Sequence, residues 1–136
     1  MCFIAYKDIV KIADRDIKCY KCLQSNMKSP CYEAEYEIGK DIKSLFTFDW
    51  LNDSYKGVLK VEKGLHSYIS IETAKRKAKR KEHWYNHVFM CAASSPIVVE
   101  CIIPKGSQYL TNGIEYVSDC LRPIQVVYNR QIDRNL

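Results

Sequence analysis

The sequence predicts an α+β fold: a single compact domain over residues 1–136, mostly antiparallel β, with one main basic helix at about residues 71–88. Three observations predict it. A chain of 136 residues is near the size at which one hydrophobic core forms rather than two. Most of the chain divides into short apolar or alternating runs separated by turn residues, which is the pattern of strands. One stretch, and it is also the most basic, repeats its apolar residues at helical spacing.

Residues 2–6 (CFIAY) and 16–23 (DIKCYKCL) are apolar or alternating and read as strands, and the VKIADRD stretch between them suits a helical turn. Residues 32–38 (YEAEYEI) alternate strictly. That puts Tyr32, Ala34, Tyr36 and Ile38 on one face and Glu33, Glu35 and Glu37 on the other, a strand with a wet side. Residues 39–56 hold aromatics without a clean period and end in turn-forming residues, so they read as a loop with a short helix.

Residues 58–71 (VLKVEKGLHSYISI) read as a strand, a turn at Lys63-Gly64 and a second strand. Ser70 is placed to cap a helix whose first turn holds Glu72. Ile71, Ala74, Ala78, Tyr85 and Val88 then recur at helical spacing, which carries the helix to about His87. Residues 97–103 (IVVECII) are apolar on nearly both faces, as a central strand is, and Pro104-Lys105-Gly106 ends the run. Asn112-Gly113 marks a turn before the strand-like IEYVS and PIQVVY.

The net charge of +5 is local. Six of the 21 basic residues lie in AKRKAKRK at residues 74–81, and the remaining 15 face 16 acidic ones. No apolar run approaches the ~18 residues that cross a bilayer, so no membrane association is expected and the cytoplasm is the expected location. Seven cysteines, an odd number without an export signal, read as buried thiols rather than a disulfide framework.

On the proposed helix Lys75 and Lys79, Arg76 and Arg80, and Lys77 and Lys81 stand at i and i+4, so three rows of like charge cover everything but the alanine stripe. Each such pair costs a few tenths of a kcal/mol, a liability that a bound acidic partner would offset. The candidate partner-binding residues are therefore Lys75, Arg76, Lys77, Lys79, Arg80 and Lys81, with Trp84 and Tyr85 beside them. The same aromatics suit stacking on bases, which keeps nucleic acid as an alternative partner.

A second constellation, a possible ligand pocket, comprises Tyr20, His66, Ser67, Ser70 and Glu100. Its motivation is a histidine and serine after a glycine, and an acid in an otherwise apolar strand that must find a cleft, an edge or a partner. Cys19-x2-Cys22 with Cys31, and His83-x3-His87-x3-Cys91, have spacings that can bind zinc. In a strand, however, residues three apart point to opposite faces, and no metal or other cofactor is expected.

The succession YEIGK, KGLHSYISIETA, VVECIIPKGSQYL and YVSDCLRPI resembles an uncharacterised family of small proteins encoded by bacteriophages and prophages, over about residues 16–127. That resemblance implies a gene context and no activity. A more distant resemblance is to the ADP-ribosyltransferase fold. It places Ser67 or Ser70 at that fold's Ser-Thr-Ser element and IVVECIIPKGS at its penultimate strand. Tyr20 or Lys21 stands where that family has arginine, and Asp119 where it has a glutamate, so the resemblance implies the fold with its catalytic residues missing. Together these features favour a non-enzymatic, phage-encoded protein that binds a host bacterial protein, such as a defence component, through the basic helix. An NAD- or nucleotide-binding protein of ADP-ribosyltransferase type and a nucleic-acid binder are the alternatives.

Overall fold

A computed structural model describes residues 3–6, 10–28, 35–50, 58–84 and 96–129; of 3–6, 48–50, 58–62 and 81–84 it describes the backbone. The strands are β1 (Phe3–Tyr6), β2 (Lys11–Ile12), β3 (Ile17–Gln24), β4 (Ile42–Lys43), β5 (Thr47–Trp50), β6 (Val58–Lys63) and β7 (Leu65–Tyr68), followed by the helix α1 (Ile71–Trp84). The strands β8 (Pro96–Ile103), β9 (Gln108–Thr111), β10 (Glu115–Ser118) and β11 (Cys120–Asn129) complete the described elements. Every strand pairing is antiparallel, and α1 is the one helix among the described residues, so the α+β expectation is met.

The strands form an eight-stranded sheet in the order β2-β9-β10-β7-β3-β8-β11-β4 and a three-stranded sheet in the order β1-β6-β5. β8 lies near the centre of the larger sheet, paired with β3 along its whole length and with β11 on its other side. Its apolar run explains this place, because both of its faces are covered. Ile97, Val99, Cys101 and Ile103 point to one face, where they pack with Cys19, Leu23, Leu65, Leu121 and Tyr36. Val98 points to the other, where α1 lays Ala74 and Ala78 against Cys22 and Tyr128. Alanine at these two helix positions leaves little side chain between helix and sheet, so α1 sits close to the strands it covers.

Several sequence expectations are corrected. Lys63-Gly64 is not a hairpin turn: β6 belongs to the small sheet and β7 to the large one, and the chain crosses between them at Gly64. A Cβ at Gly64 would overlap Val117 Cγ1, so the residue is glycine because a β10 side chain occupies the space beside it. The VKIADRD stretch carries the short strand β2 instead of a helical turn, held at the sheet edge by pairing with β9. β4 and β5 occupy part of the region read as a loop with a short helix. The alternating YEAEYEI does not continue as a strand over residues 35–38. Glu35 makes an isolated bridge with Lys28, Tyr36 is buried, Ile38 is exposed, and the chain turns at Gly39 with φ 83°. The expected end of α1 beyond Trp84 lies outside the described residues.

Candidate functional site

α1 begins where the sequence places it. Ser70 Oγ accepts hydrogen bonds from the backbone N–H of Glu72 (3.1 Å) and Thr73 (3.3 Å), satisfying two of the donors that a helix start leaves open. Cys22 Sγ donates to Ala74 O at 3.0 Å, tying the first turns of the helix to β3. With Ala74 and Ala78 fully buried, the helix has one rotation about its axis. That rotation leaves Arg76, Lys79 and Arg80 exposed and Lys75 and Lys77 half-buried.

Lys75 Nζ lies 5.7 Å from the centroid of the Tyr128 ring. Among the described residues, none of Lys75, Arg76, Lys77, Lys79 and Arg80 has a carboxylate within ion-pair distance, although Glu72 stands three and four residues before Lys75 and Arg76. The described part of the basic face therefore carries unneutralised charge. Lys81 and Trp84 lie on the last described turn, where the backbone alone is described, and Tyr85 lies outside the described residues.

Of the second constellation, Tyr20 and Glu100 stand side by side on neighbouring strands, whereas Ser67 faces the other side of the sheet and Ser70 caps the helix. Tyr20 stands opposite Glu100 on β8 and opposite Tyr68 on β7, on the sheet face that α1 covers. Glu100 is held by Gln125 Nε2 at 3.1 Å and by Lys18 Nζ at 3.6 Å, which answers the cost of an acid in a central strand. His66 lies on β7 opposite Val117, and its carbonyl accepts a hydrogen bond from Lys21 Nζ. Ser70 is engaged as the helix cap. Ser67 alternates with His66, so it points to the far face of the sheet, where it is 1% exposed beside Cys19.

That far face holds a buried cluster of thiol and phenol groups. Burial pushes the Cys19 thiol up to about 11, and the nearby Ser67 and Lys21 offset only part of the rise. Ser67 is close enough to favour the Cys19 thiolate slightly, yet its Oγ has no partner in hydrogen-bonding geometry. Cys101, opposite Cys19 on β8, is raised further by burial and then by the Cys19 sulfur beside it. Thiols held protonated in this way are poor nucleophiles and poor metal ligands. Cys19 and Cys22 pack on opposite faces of the sheet, so that pair does not chelate one ion; Cys31, His87 and Cys91 lie outside the described residues.

The structure also forms a feature that the sequence did not signal, an open depression of about 350 Å³ lined by Asp41, Lys43, Ser44, Lys105, Asp119 and Cys120 among others. Its two acids are engaged: Asp41 receives Arg122 Nε at 2.7 Å, and Asp119 Oδ1 accepts the Gln108 N–H at 3.1 Å. The Cys120 thiol is raised by burial and by Asp41. Three distant segments meet there, so no local pattern announces it.

Among the described residues, no helix is long and apolar enough to cross a membrane. No family model, curated protein or solved structure matches the chain.

Proposed function

We propose that the protein is a non-enzymatic binding protein that engages an acidic protein surface through the exposed face of α1. The observation that carries this reading is the set of cations at Lys75, Arg76, Lys77, Lys79 and Arg80, fixed in orientation by the buried alanines and, among the described residues, without carboxylate partners. A rigid array of this kind loses little conformational freedom on binding beyond its side chains, and complementary charge gives such a contact rate and register. The balance of charge over the rest of the chain favours a protein over a nucleic acid, because a duplex binder gains from positive potential spread beyond one helix.

The resemblance to small phage and prophage proteins makes a host bacterial protein the partner to seek, with inhibition of a defence component as the role. The frame is also compatible with an ADP-ribosyltransferase-like fold emptied of chemistry. Ser70 serves as a cap and Glu100 is neutralised within the sheet, so neither is free for catalysis.

The test is affinity capture from the bacterial host with the tagged protein and with the variant K75E/R76E/K79E/R80E, read by mass spectrometry. An acidic protein recovered by the first and lost with the second is the expected result. The same protein recovered by both, or recovery of nucleic acid alone, overturns the reading. A rise in melting temperature with millimolar NAD or ADP-ribose would replace it with a nucleotide-binding one.

A further inference from the structure

β11 has ten residues, but β4 pairs with only the first two, Cys120 and Leu121. The Gly39 N–H donates to Pro123 O at 2.8 Å, and among the described residues no backbone bond from this segment reaches β11 beyond Pro123. On its inner side β11 stays paired with β8 as far as Asn129. Among the described residues, the outer edge of β11 over residues 124–128 has no strand beside it. Val126 on this stretch is 46% exposed. An edge of this length offers backbone N–H and C=O groups to an added strand. Register shifts between Pro123 and Gln125 and between Val126 and Tyr128 bend it, which disfavours long, flat pairing while leaving room for a short segment.

The second observation is the charge above that edge. Lys75 Nζ is over the ring of Tyr128, itself one of the edge residues, and Lys79 follows Lys75 at i+4 on the same side of α1. Glu100, the acid of the neighbouring strand, is already held by Lys18 and Gln125. Among the described residues, therefore, a cation without a carboxylate partner stands over Tyr128, on a strand edge with no neighbouring strand, and a second follows it one helical turn on.

We propose that an extended acidic segment of a partner protein adds to the outer edge of β11 at residues 124–128 as a further strand, with its carboxylates meeting Lys75 and Lys79. The proposal rests on the basic-face reading and specifies how the partner is held: backbone pairing gives affinity, and side-chain charge gives selectivity. A second copy of the chain is a poor occupant. Antiparallel pairing of two β11 edges puts both helices on the same face of the joined sheet and brings like charges together.

The experiment uses the full chain under reducing conditions and an eight-residue peptide, blocked at both ends, that alternates glutamate with valine and threonine. Two N-methylated versions, each blocking one edge of the peptide, and a lysine counterpart accompany it. The expected result is binding of the glutamate peptide, weakened at least tenfold by N-methylation of one edge and not the other, and at least tenfold by lysine. Amide exchange at residues 124–128 should slow in the complex. V126E should weaken binding about tenfold and V126K should not, with folding of both checked by their amide spectra. If both methylated peptides bind as the parent does and K75E/K79E abolishes all three, the basic face holds acidic chains by charge alone and strand addition is wrong. If the glutamate peptide does not bind while a protein partner is captured through α1, strand addition is again wrong and the basic-face reading stands. Dimerisation with rising concentration that V126E abolishes would make a second copy the occupant and overturn the proposal.

Discussion

Lys75 and Tyr128 are 53 positions apart in sequence, and the ammonium of the first stands 5.7 Å from the ring centroid of the second. The contact fastens the basic helix to β11 and sets where its charge is displayed. Tyr128 is buried against Ala74, Ala78, Cys22 and Val98, so its ring serves both the core and the cation. A cation over an aromatic face at a partly exposed site contributes about 0.5–1 kcal/mol. A double-mutant cycle of Lys75→Met and Tyr128→Leu, followed by urea denaturation, should return a coupling of about that size. Additive losses would mean that the ammonium is held by something other than the ring.

The close seat of α1 depends on Ala74 and Ala78, both fully buried between the helix and β8. A larger side chain at Ala74 must push the helix away from Cys22 Sγ and Val98. Overpacking of this kind costs about 1–3 kcal/mol. Ala74→Leu should lower the denaturation midpoint by that amount. Lys79→Leu, which adds a similar apolar volume on the exposed side, should leave stability nearly unchanged. Equal losses from the two would show that Ala74 is not at the helix–sheet contact.

Gly64 offers a cleaner test of why a residue is small. A Cβ there meets Val117 Cγ1 at once and comes within 3.5 Å of Phe46 Cδ2. Gly64→Ala should therefore destabilise by about 1–3 kcal/mol. Val117→Ala removes the obstructing methyl, so the double variant should lose less than the sum of the two single changes, a departure from additivity expected only for neighbours. Full additivity would refute the steric explanation.

Sequence legibility followed the range of the interactions involved. α1 was readable because its alanine stripe, its Ser70 cap and its charges all lie in one continuous run from Ser70 to Lys81. β8 was readable because a strand covered on both faces must be apolar throughout. The turns at Gly106 and Gly113 were readable from residue type, and both glycines have positive φ. β4 was not, since two residues carry no period and it exists only through its pairing with Cys120 and Leu121. YEAEYEI misled because its perfect alternation is a local signal. Tyr36 N–H bonds to Met27 O instead, and Met27 itself turns at φ 66°. For the site, the concentration of charge was visible, whereas grouping Ser67 with His66 in one pocket overlooked that adjacent strand residues point to opposite faces. That Lys75 stands over Tyr128 of β11 depends on packing between segments far apart in sequence.

The buried thiols and phenols predict how the fold responds to alkali. The Cys19 thiol has an ordinary value of 9.0 and is pushed up to about 11 by burial. Burial also raises Cys101, Tyr36 and Tyr68. A group kept neutral in this way holds its proton in the folded chain at a pH where the unfolded chain has released it. Its contribution is therefore intact below about pH 9 and is lost as the pH rises toward the folded value. For Cys19 alone the loss reaches about 2 kcal/mol by pH 11, with a limiting slope of about 1.4 kcal/mol per pH unit. Urea denaturation between pH 7 and 10.5 under reducing conditions should give constant stability up to about pH 9 and a steep fall beyond it. Cys19→Ala should make that fall shallower even if it lowers stability at neutral pH. A profile flat to pH 10.5, or a slope that Cys19→Ala leaves unchanged, would show that the thiol ionises in the folded chain as readily as in the unfolded one.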